Sequence, residues 1–253
     1  MKKIGIVGGV SWLSTVEYYS GICRLAEQAH LAAGLGGVPA VPEIVIESLD
    51  LRRAVAAIGS DPDEESWREF DAYHAEALGR LEGSGADFAL IASNSPHHRF
   101  SAITRGIGIP VLNLFDELAA EAGRNGSGDV LVLGTALTMG SAALGEAFRR
   151  RGIHATGPSD PSARLATTRL IEDIQGGGDA ASLGRLEAIV ARELDARPGR
   201  KPMICLACTE LPLVFGDSKG ASSFEHGGLT FIDSTRVHIE AAYRVATGER
   251  NPG

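Results

Sequence analysis

The chain has 253 residues, of which 22% are charged and 44% hydrophobic, and its formal net charge is −8. This composition is ordinary for a globular protein with one large core or two smaller ones, and the acidic balance argues against nucleic acid as the main partner. A small anionic substrate is not excluded, because a local pair of arginines outweighs a distant negative surface. Three cysteines are too few for a disulfide framework, and neither a signal peptide nor a membrane-length apolar stretch is found, so we expect a cytoplasmic protein with no membrane partner.

Strands alternate with helices along most of the chain. Short apolar runs, which predict buried parallel strands, occur at residues 4–7, 43–47, 88–92, 109–112, 130–133, 203–207 and 230–232. Helical patterns occur at residues 14–33, 64–82, 116–123, 163–175, 182–196 and 234–246, and after residue 135 up to the arginines at 149–151. Residues 217–228 are expected to form a polar loop. The alternation predicts an α/β fold with mainly parallel sheets.

One pattern occurs twice in the sequence. In residues 88–97 and again in residues 203–212, an apolar strand ends in alanine and is followed by a small side chain that can carry a proton, Ser93 or Cys208. A polar pair and a proline follow, which predicts a strand-to-helix turn. Because ligands bind at the carboxyl ends of parallel strands, we expect two lobes, related by a pseudo-twofold axis, that aim Ser93 and Cys208 at one ligand. The predicted lobes are residues 1–114 with 230–253, and residues 115–229.

Cys208 is the stronger candidate for chemistry. A thiol at a helix N-terminus has a lowered pKa, so a thiolate is accessible near neutral pH, and the adjacent Thr209 can donate to a bound carboxylate. The alternative is a buried structural cysteine, which fits Cys205, inside the predicted strand, better than Cys208. A redox CxxC motif normally places its first cysteine at the helix entry, and a zinc site needs a second ligand pair that the sequence lacks.

Ser93 is the weaker candidate, because a hydroxyl is hardly ionised at neutral pH without an adjacent base. His97 lies one helical turn further on and could serve as that base, although such a histidine more often makes a local hydrogen bond. No G-x-S-x-G sequence surrounds Ser93, so a hydrolase triad is poorly supported. The glycines at residues 5–9 do not match the dinucleotide-binding G-x-G-x-x-G pattern.

Five segments, in order along nearly the whole chain, resemble the cofactor-independent aspartate/glutamate racemases. They are GGVSWLST at residues 8–15 with Tyr18-Tyr19, SNSPH at 93–97, LGT at 133–135 with Thr138-Met139, CTE at 208–210 and IDST at 232–235. The resemblance implies two cysteines that face each other across the Cα of the substrate, one removing a proton as thiolate and the other returning one. It implies no pyridoxal phosphate, no metal and a homodimer.

The resemblance also implies roles for individual residues. By this resemblance Cys208 is one of the two acid/bases. The residues that would bind the α-carboxylate of the substrate are Asn94, Ser95 and Thr209, and those that would line the cleft are Gly9, Val10, Ser11 and Thr135. The distal carboxylate would be bound by Arg53 (or Arg52) and Arg164. Arginine binds carboxylates through two parallel hydrogen bonds, which suits a dicarboxylic substrate. The alternative for Arg53 and Arg164 is that both are solvated surface residues without a role in substrate binding.

Ser93 departs from the family pattern, which has cysteine at this position. Three explanations stay open: a serine introduced in place of a native cysteine, a racemase with one strong and one weak base, or a one-cysteine relative with different chemistry. The leading hypothesis is racemisation of a small acidic amino acid. A single-cysteine decarboxylase or lyase is the second hypothesis, and a binding protein that kept the cleft without turnover is the third.

Overall fold

The computed structural model describes residues 1–178, 180–197, 199, 201–218 and 221–251. The chain divides into two compact units, the first comprising residues 1–113 and 238–253 and the second residues 114–237. Each unit contains one β-sheet with helices packed against it. The predicted α/β class with mainly parallel sheets is confirmed.

The first unit has a three-stranded parallel sheet. Its elements are β1 (Ile4–Gly8), α1 (Trp12–Ala32), β2 (Ile44–Ser48), α2 (Leu51–Ala56), α3 (Arg68–Gly83), β3 (Phe88–Ile91) and α4 (Phe100–Ile103). The strand order is β2-β1-β3, with Ile4 of β1 opposite both Ile44 and Phe88. The core of this unit contains Ile6, Tyr18 and Ile22, which α1 and β1 bury together.

The second unit has a five-stranded sheet. Its elements are α5 (Leu114–Arg124), β4 (Asp129–Gly134), α6 (Ala136–Met139), α7 (Ala142–Arg149), β5 (His154–Thr156), α8 (Pro161–Gln175), α9 (Ser182–Asp195), β6 (Met203–Ala207), β7 (Ser223–His226) and β8 (Leu229–Asp233), followed by α10 (Ser234–Thr247), in which the boundary between the units falls. The order is β5-β4-β6-β8-β7, and every pairing is parallel except that of β7 with β8.

Both faces of the second sheet are covered. Because side chains alternate along a strand, Val130 and Val132 of β4 pack into one core with α5 and α7, whereas Leu131 and Leu133 pack into another with α8 and α9. This explains why the strands of this unit read as continuous apolar runs rather than alternating ones. No helix among the described residues is long and apolar enough to cross a membrane.

Several elements of the structure differ from the sequence prediction. The run at residues 109–112 forms only an isolated bridge between Ala89 and Val111, since Pro110 has no N–H to extend a ladder. Helix α1 begins at Trp12 rather than at residue 14, because the Ser11 hydroxyl accepts from the Ser14 N–H. Residues 64–82 divide into the 3₁₀ turn Glu64–Trp67 and α3.

A further difference concerns residues 217–228, predicted as a loop, and the lobe boundary predicted at residue 230. Residues 223–226 form β7, whose antiparallel partner β8 pairs in turn with β6. The strand predicted at 230–232 therefore belongs to the sheet of the second unit, and the chain returns to the first unit at His238, within α10. Residues 219 and 220 of the predicted loop lie outside the described residues.

Candidate active site

The second unit presents Cys208 directly after β6, at the carboxyl end of the central strand of its sheet. The side chain is buried, with 5% exposed. Its Sγ donates a hydrogen bond to Oε2 of Glu210 over 2.8 Å. The thiol therefore lies against a carboxylate two residues further along the same turn.

The Glu210 carboxylate is held through both of its oxygens. Thr209 Oγ1 donates to Oε2 over 2.9 Å, and Gln175 Nε2, at the end of α8, donates to Oε1 over 3.2 Å. The side chain is buried, with 2% exposed. Thr209, which the sequence analysis reserved for a substrate carboxylate, makes one of its hydrogen bonds to a carboxylate of the protein itself.

The predicted lowering of the Cys208 pKa is wrong for this structure. Burial raises the pKa of the thiol well above its ordinary value, and the negative charge of Glu210 raises it further. The backbone N–H groups of Glu210 and Leu211 oppose this, but by less. The segment that follows is the 3₁₀ segment Leu211–Ser218, interrupted at Gly216, rather than the α-helix that was predicted. At rest the thiol is protonated.

Cys205 lies inside β6 and is fully buried. Burial raises its pKa to about 12, with the nearby Asp233 adding to the increase, so it is inert as a nucleophile. Both cysteines are free thiols. Among the described residues no group of three or more histidine, cysteine, aspartate or glutamate side chains is arranged to hold a metal ion.

The adjacent strand places Thr135 beside Cys208. Strand β4 pairs with β6 so that Gly134 lies opposite Ala207, and the two candidate residues follow this pair. A Cβ at Gly134 would lie 2.6 Å from the Ala207 carbonyl oxygen, so only glycine permits this approach of the two backbones. The Thr135 hydroxyl caps α6 by accepting from the Thr138 N–H over 3.3 Å.

In the first unit Ser93 follows β3 and is partly buried. Asn94 is buried, and Ser95 opens the 3₁₀ turn Ser95–Arg99, where a helix was predicted. The Ala92 N–H donates to the Val7 carbonyl of β1 over 2.8 Å. The Ser93 turn is thereby brought next to the glycines that end β1.

His97 does not bond to Ser93. Its Nε2 lies 3.4 Å from the Ile91 carbonyl oxygen, and its ring stacks on Phe100. Burial lowers the pKa of His97 to about 3, and the neighbouring His238 adds to the shift. The imidazole is therefore neutral and makes the local hydrogen bond that the sequence analysis favoured over a base.

Gly9 lies at the turn after β1 with φ of 85°, the left-handed region that favours glycine. A Cβ there would lie 2.1 Å from the Leu49 carbonyl oxygen, so the turn tolerates no side chain. The Gly9 N–H donates to Thr15 Oγ1 over 2.9 Å. Val10 follows, partly buried, and Ser11 caps α1, so the three predicted residues form the turn that lies beside that of Ser93.

The two predicted arginines have different surroundings. Arg53 on α2 has a side chain 53% exposed; its Nε lies 3.7 Å from Glu69 Oε1, and its guanidinium lies 4.1 Å from the centroid of the Tyr73 ring. Arg164 on α8 is partly buried and donates through Nε to the Pro158 carbonyl over 2.7 Å. It lines a cavity of about 590 Å³ at the edge of the second sheet.

The structure thus brings the predicted residues together within each unit. Cys208 and Thr209 lie beside Thr135, and Ser93, Asn94 and Ser95 lie beside Gly9 and its neighbours. No role was predicted from the sequence for Glu210 or for Gln175. Glu210 could have been found from its place in the Cys-Thr-Glu segment, but Gln175 carries no local signal.

Comparison with known proteins identifies the family of this chain. The family model of the Asp/Glu/hydantoin racemases matches residues 7–242. A putative Asp/Glu racemase from Yersinia pestis is similar in structure, with 25% identity, coverage of 98% of this chain and 100% of that one, and a TM-score of 0.77.

Two further solved structures share the fold. An aspartate racemase homologue from Pyrococcus horikoshii has 24% identity, coverage of 98% and 100%, and a TM-score of 0.76. A glutamate racemase from Francisella tularensis, solved in complex with D-glutamate, has 14% identity, coverage of 98% and 82%, and a TM-score of 0.63. The resemblance noted in the sequence is confirmed. The chain belongs to the Asp/Glu/hydantoin racemase family and is an isomerase of the racemase class.

Proposed function

We propose that this protein racemises a small acidic amino acid, of the aspartate or glutamate type, by proton transfer at Cα without a cofactor. The observation that carries the proposal is the Cys208 sulfur, which lies at the carboxyl end of a central parallel strand against a buried carboxylate. The similar proteins support the substrate class, since one is an aspartate racemase homologue and another was solved with D-glutamate.

In this mechanism the Cys208 thiolate removes the proton from one face of Cα, and the electron pair passes into the α-carboxylate as an enediolate. Asn94, Ser95 and Thr209 hold that carboxylate, and Arg164 and Arg53 hold the distal one. Such a carbon acid is very weak, so hydrogen bonds to the enediolate must supply much of the rate. Gly9, Val10, Ser11 and Thr135 line the substrate site. Homodimer assembly and cytoplasmic residence, which the resemblance implies, stay predictions.

Ser93 makes proton transfer unequal at the two faces of the substrate Cα. The proposal requires Ser93 to serve the face opposite to Cys208, and a hydroxyl is a far weaker acid and base than a thiol. We therefore expect fast proton exchange on the Cys208 face and slow inversion. One observation favours a single-cysteine decarboxylase or lyase as the alternative: His97 bonds to Ile91 and supplies no base to Ser93.

Proton exchange in D₂O tests the proposal. The protein is incubated with L- and D-aspartate and L- and D-glutamate, and deuterium at Cα and the enantiomer ratio are followed by NMR and chiral chromatography. We expect exchange of one enantiomer, with slower inversion, and a loss of at least about 100-fold in Cys208→Ala. Cys205→Ala is the matched control, since it removes the other thiol of β6 and should keep the exchange rate.

Two outcomes overturn this proposal. Release of carbon dioxide or an alkene from a related acid, without exchange of the amino acids, indicates the single-cysteine alternative. Exchange that persists in Cys208→Ala removes the thiol from the mechanism. Neither result depends on the loss of the fold, because far-UV circular dichroism of both alanine variants is recorded in the same experiment.

A further inference from the structure

We propose that Glu210 is the proton acceptor for the Cys208 thiol and generates the thiolate when substrate is bound. The inference rests on the proposed function, since it names the group that activates its base. Nothing in the family comparison or in the sequence analysis assigns a role to this carboxylate.

The contact between the two side chains is direct. The Cys208 Sγ and the Glu210 Oε2 are 2.8 Å apart, so the thiol lies within hydrogen-bond distance of the oxygen that would receive its proton. The same Oε2 accepts from Thr209 Oγ1, and Oε1 accepts from Gln175 Nε2. Because both oxygens are held, the carboxylate cannot rotate away without breaking a hydrogen bond.

Burying the Glu210 carboxylate costs folding free energy, which a purely structural residue in this place would not need to cost. Its side chain is almost completely buried. In the part of the chain that the structure describes, its partners are a thiol, a hydroxyl and an amide, and none is a cation. An isolated buried carboxylate lowers stability, whereas an apolar residue or a glutamine in this place would cost less. A residue kept at such a cost is best explained by a use for its charge.

The proton transfer balances within the pair. The S–H bond of Cys208 breaks, an O–H bond forms on Oε2 of Glu210, and the negative charge moves from the carboxylate to the sulfur. The backbone N–H groups of Glu210 and Leu211, which lie at the sulfur, stabilise the thiolate. The thiolate then takes the Cα proton, which leaves the electron pair on the substrate, while Glu210 keeps the first proton until the step reverses.

Glu210 therefore has two opposite effects on Cys208. Its charge disfavours a thiolate in the resting protein, because two negative charges would lie side by side. Its basicity favours the thiolate once the proton can be handed over. A variant that removes the charge but keeps the shape separates these effects.

Glu210→Gln is that variant, measured in two ways. Iodoacetamide labelling of Cys208 without substrate, followed by mass spectrometry of its peptide across a pH series, reports the resting thiolate. We expect labelling of the variant to be about tenfold faster at neutral pH, with its midpoint moved to lower pH. Deuterium exchange at Cα reports catalysis, and we expect it to be about 100-fold slower in the same variant.

Two further variants serve as a control and as a test of partial recovery. Glu121→Gln removes another buried carboxylate of the second unit, one bonded to Arg124 and Ser222, and should change neither rate. Glu210→Asp keeps a base but shortens the side chain, and should recover part of the exchange rate with the wild-type pH profile. A purely structural role predicts no such recovery by the shorter acid.

The outcomes are distinguishable. If Glu210→Gln labels faster and also exchanges as fast as the wild type or faster, Glu210 only suppresses the thiolate and the inference is overturned. If the wild-type protein exchanges none of the four amino acids, the proposed function fails and the inference fails with it. Opposite changes in the two rates, absent from Glu121→Gln, support the inference.

Discussion

The Ser93 turn and the Cys208 turn occupy the same place in their respective sheets but offer different chemistry. Each follows a strand, contains a polar residue next to the candidate acid/base and leads into a 3₁₀ turn. Two positions beyond the acid/base, the first turn has Ser95 and the second has Glu210. Only the second turn therefore supplies a carboxylate to the group that would exchange a proton.

Strand-to-turn geometry therefore does not by itself determine the acid–base strength of the residue that follows the strand. In the Cys208 turn the carboxylate touches the sulfur. In the Ser93 turn the candidate base, His97, is neutral and bonds to the Ile91 carbonyl. If the proposed function holds, the asymmetry of the two turns should appear as an asymmetry of the two faces of the substrate.

Removing this asymmetry should change the activity more than any of the other proposed substitutions. Ser93→Cys should raise the rate of inversion by about 100-fold or more, because a thiol is a far better acid and base than a hydroxyl. Exchange on the Cys208 face should stay within a few-fold of the wild-type rate. Chiral chromatography of aspartate and glutamate in D₂O measures both rates.

The matched control is Ser93→Ala, which leaves the turn without a proton donor. It should slow inversion further if the hydroxyl takes part at all. No gain in inversion from Ser93→Cys, in a protein that still exchanges one enantiomer, would show that Ser93 does not serve the second face.

The positions of both turns could be predicted from the sequence. Strands β3, β4 and β6 follow from short apolar runs that end in small residues, and their bounds agree with the prediction to within one residue. Hairpin β7–β8 was missed although its signal is present, since Gly227-Gly228 separates two segments of strand-forming residues. The pairing of β8 with β6, and with it the boundary between the two units, could be determined only from the three-dimensional structure.

The chemistry of the turns could not be predicted in the same way. The direction of the Cys208 pKa shift depends on burial and on where the Glu210 side chain points. That orientation is fixed partly by Gln175, which is 35 residues away in sequence. Local motifs place a thiol at a turn, but its ionisation is decided by neighbours that the fold brings to it.

Arg164 in the second unit and Arg53 in the first should contribute unequally to substrate binding. Arg164→Ala should raise KM for the acidic substrate about tenfold with little change in kcat, because the guanidinium can bind a carboxylate through two hydrogen bonds. Arg53→Ala should raise KM only about two- to threefold, since Arg53 already pairs with Glu69 and stacks over Tyr73. Steady-state kinetics checks both; equal effects of the two variants would contradict this order.

The pH dependence of the free energy of unfolding should also differ between the two units. In the first unit, burial lowers the pKa of both His97 and His238 to about 3. Between about pH 6.5 and this value the unfolded chain binds protons that the folded unit does not, so the free energy of unfolding falls as the pH decreases. The expected slope is about 1.4 kcal/mol per pH unit for each histidine. Because both tryptophans, Trp12 and Trp67, lie in this unit, urea unfolding followed by tryptophan fluorescence measures it.

The second unit should lose stability at the opposite end of the pH scale. Burial raises the pKa of Cys205 to about 12 and that of Cys208 well above its ordinary value. Above about pH 9 the unfolded thiols ionise while the folded ones do not, so stability falls as the pH rises, again by about 1.4 kcal/mol per unit for each thiol. Labelling of the peptides that carry Cys205 and Cys208, resolved from Cys23 by mass spectrometry under partly denaturing conditions, follows this unit, and Cys205→Ala should halve the slope. If labelling and fluorescence give the same pH dependence, the units unfold together, and the contrast between their buried groups does not govern their stability.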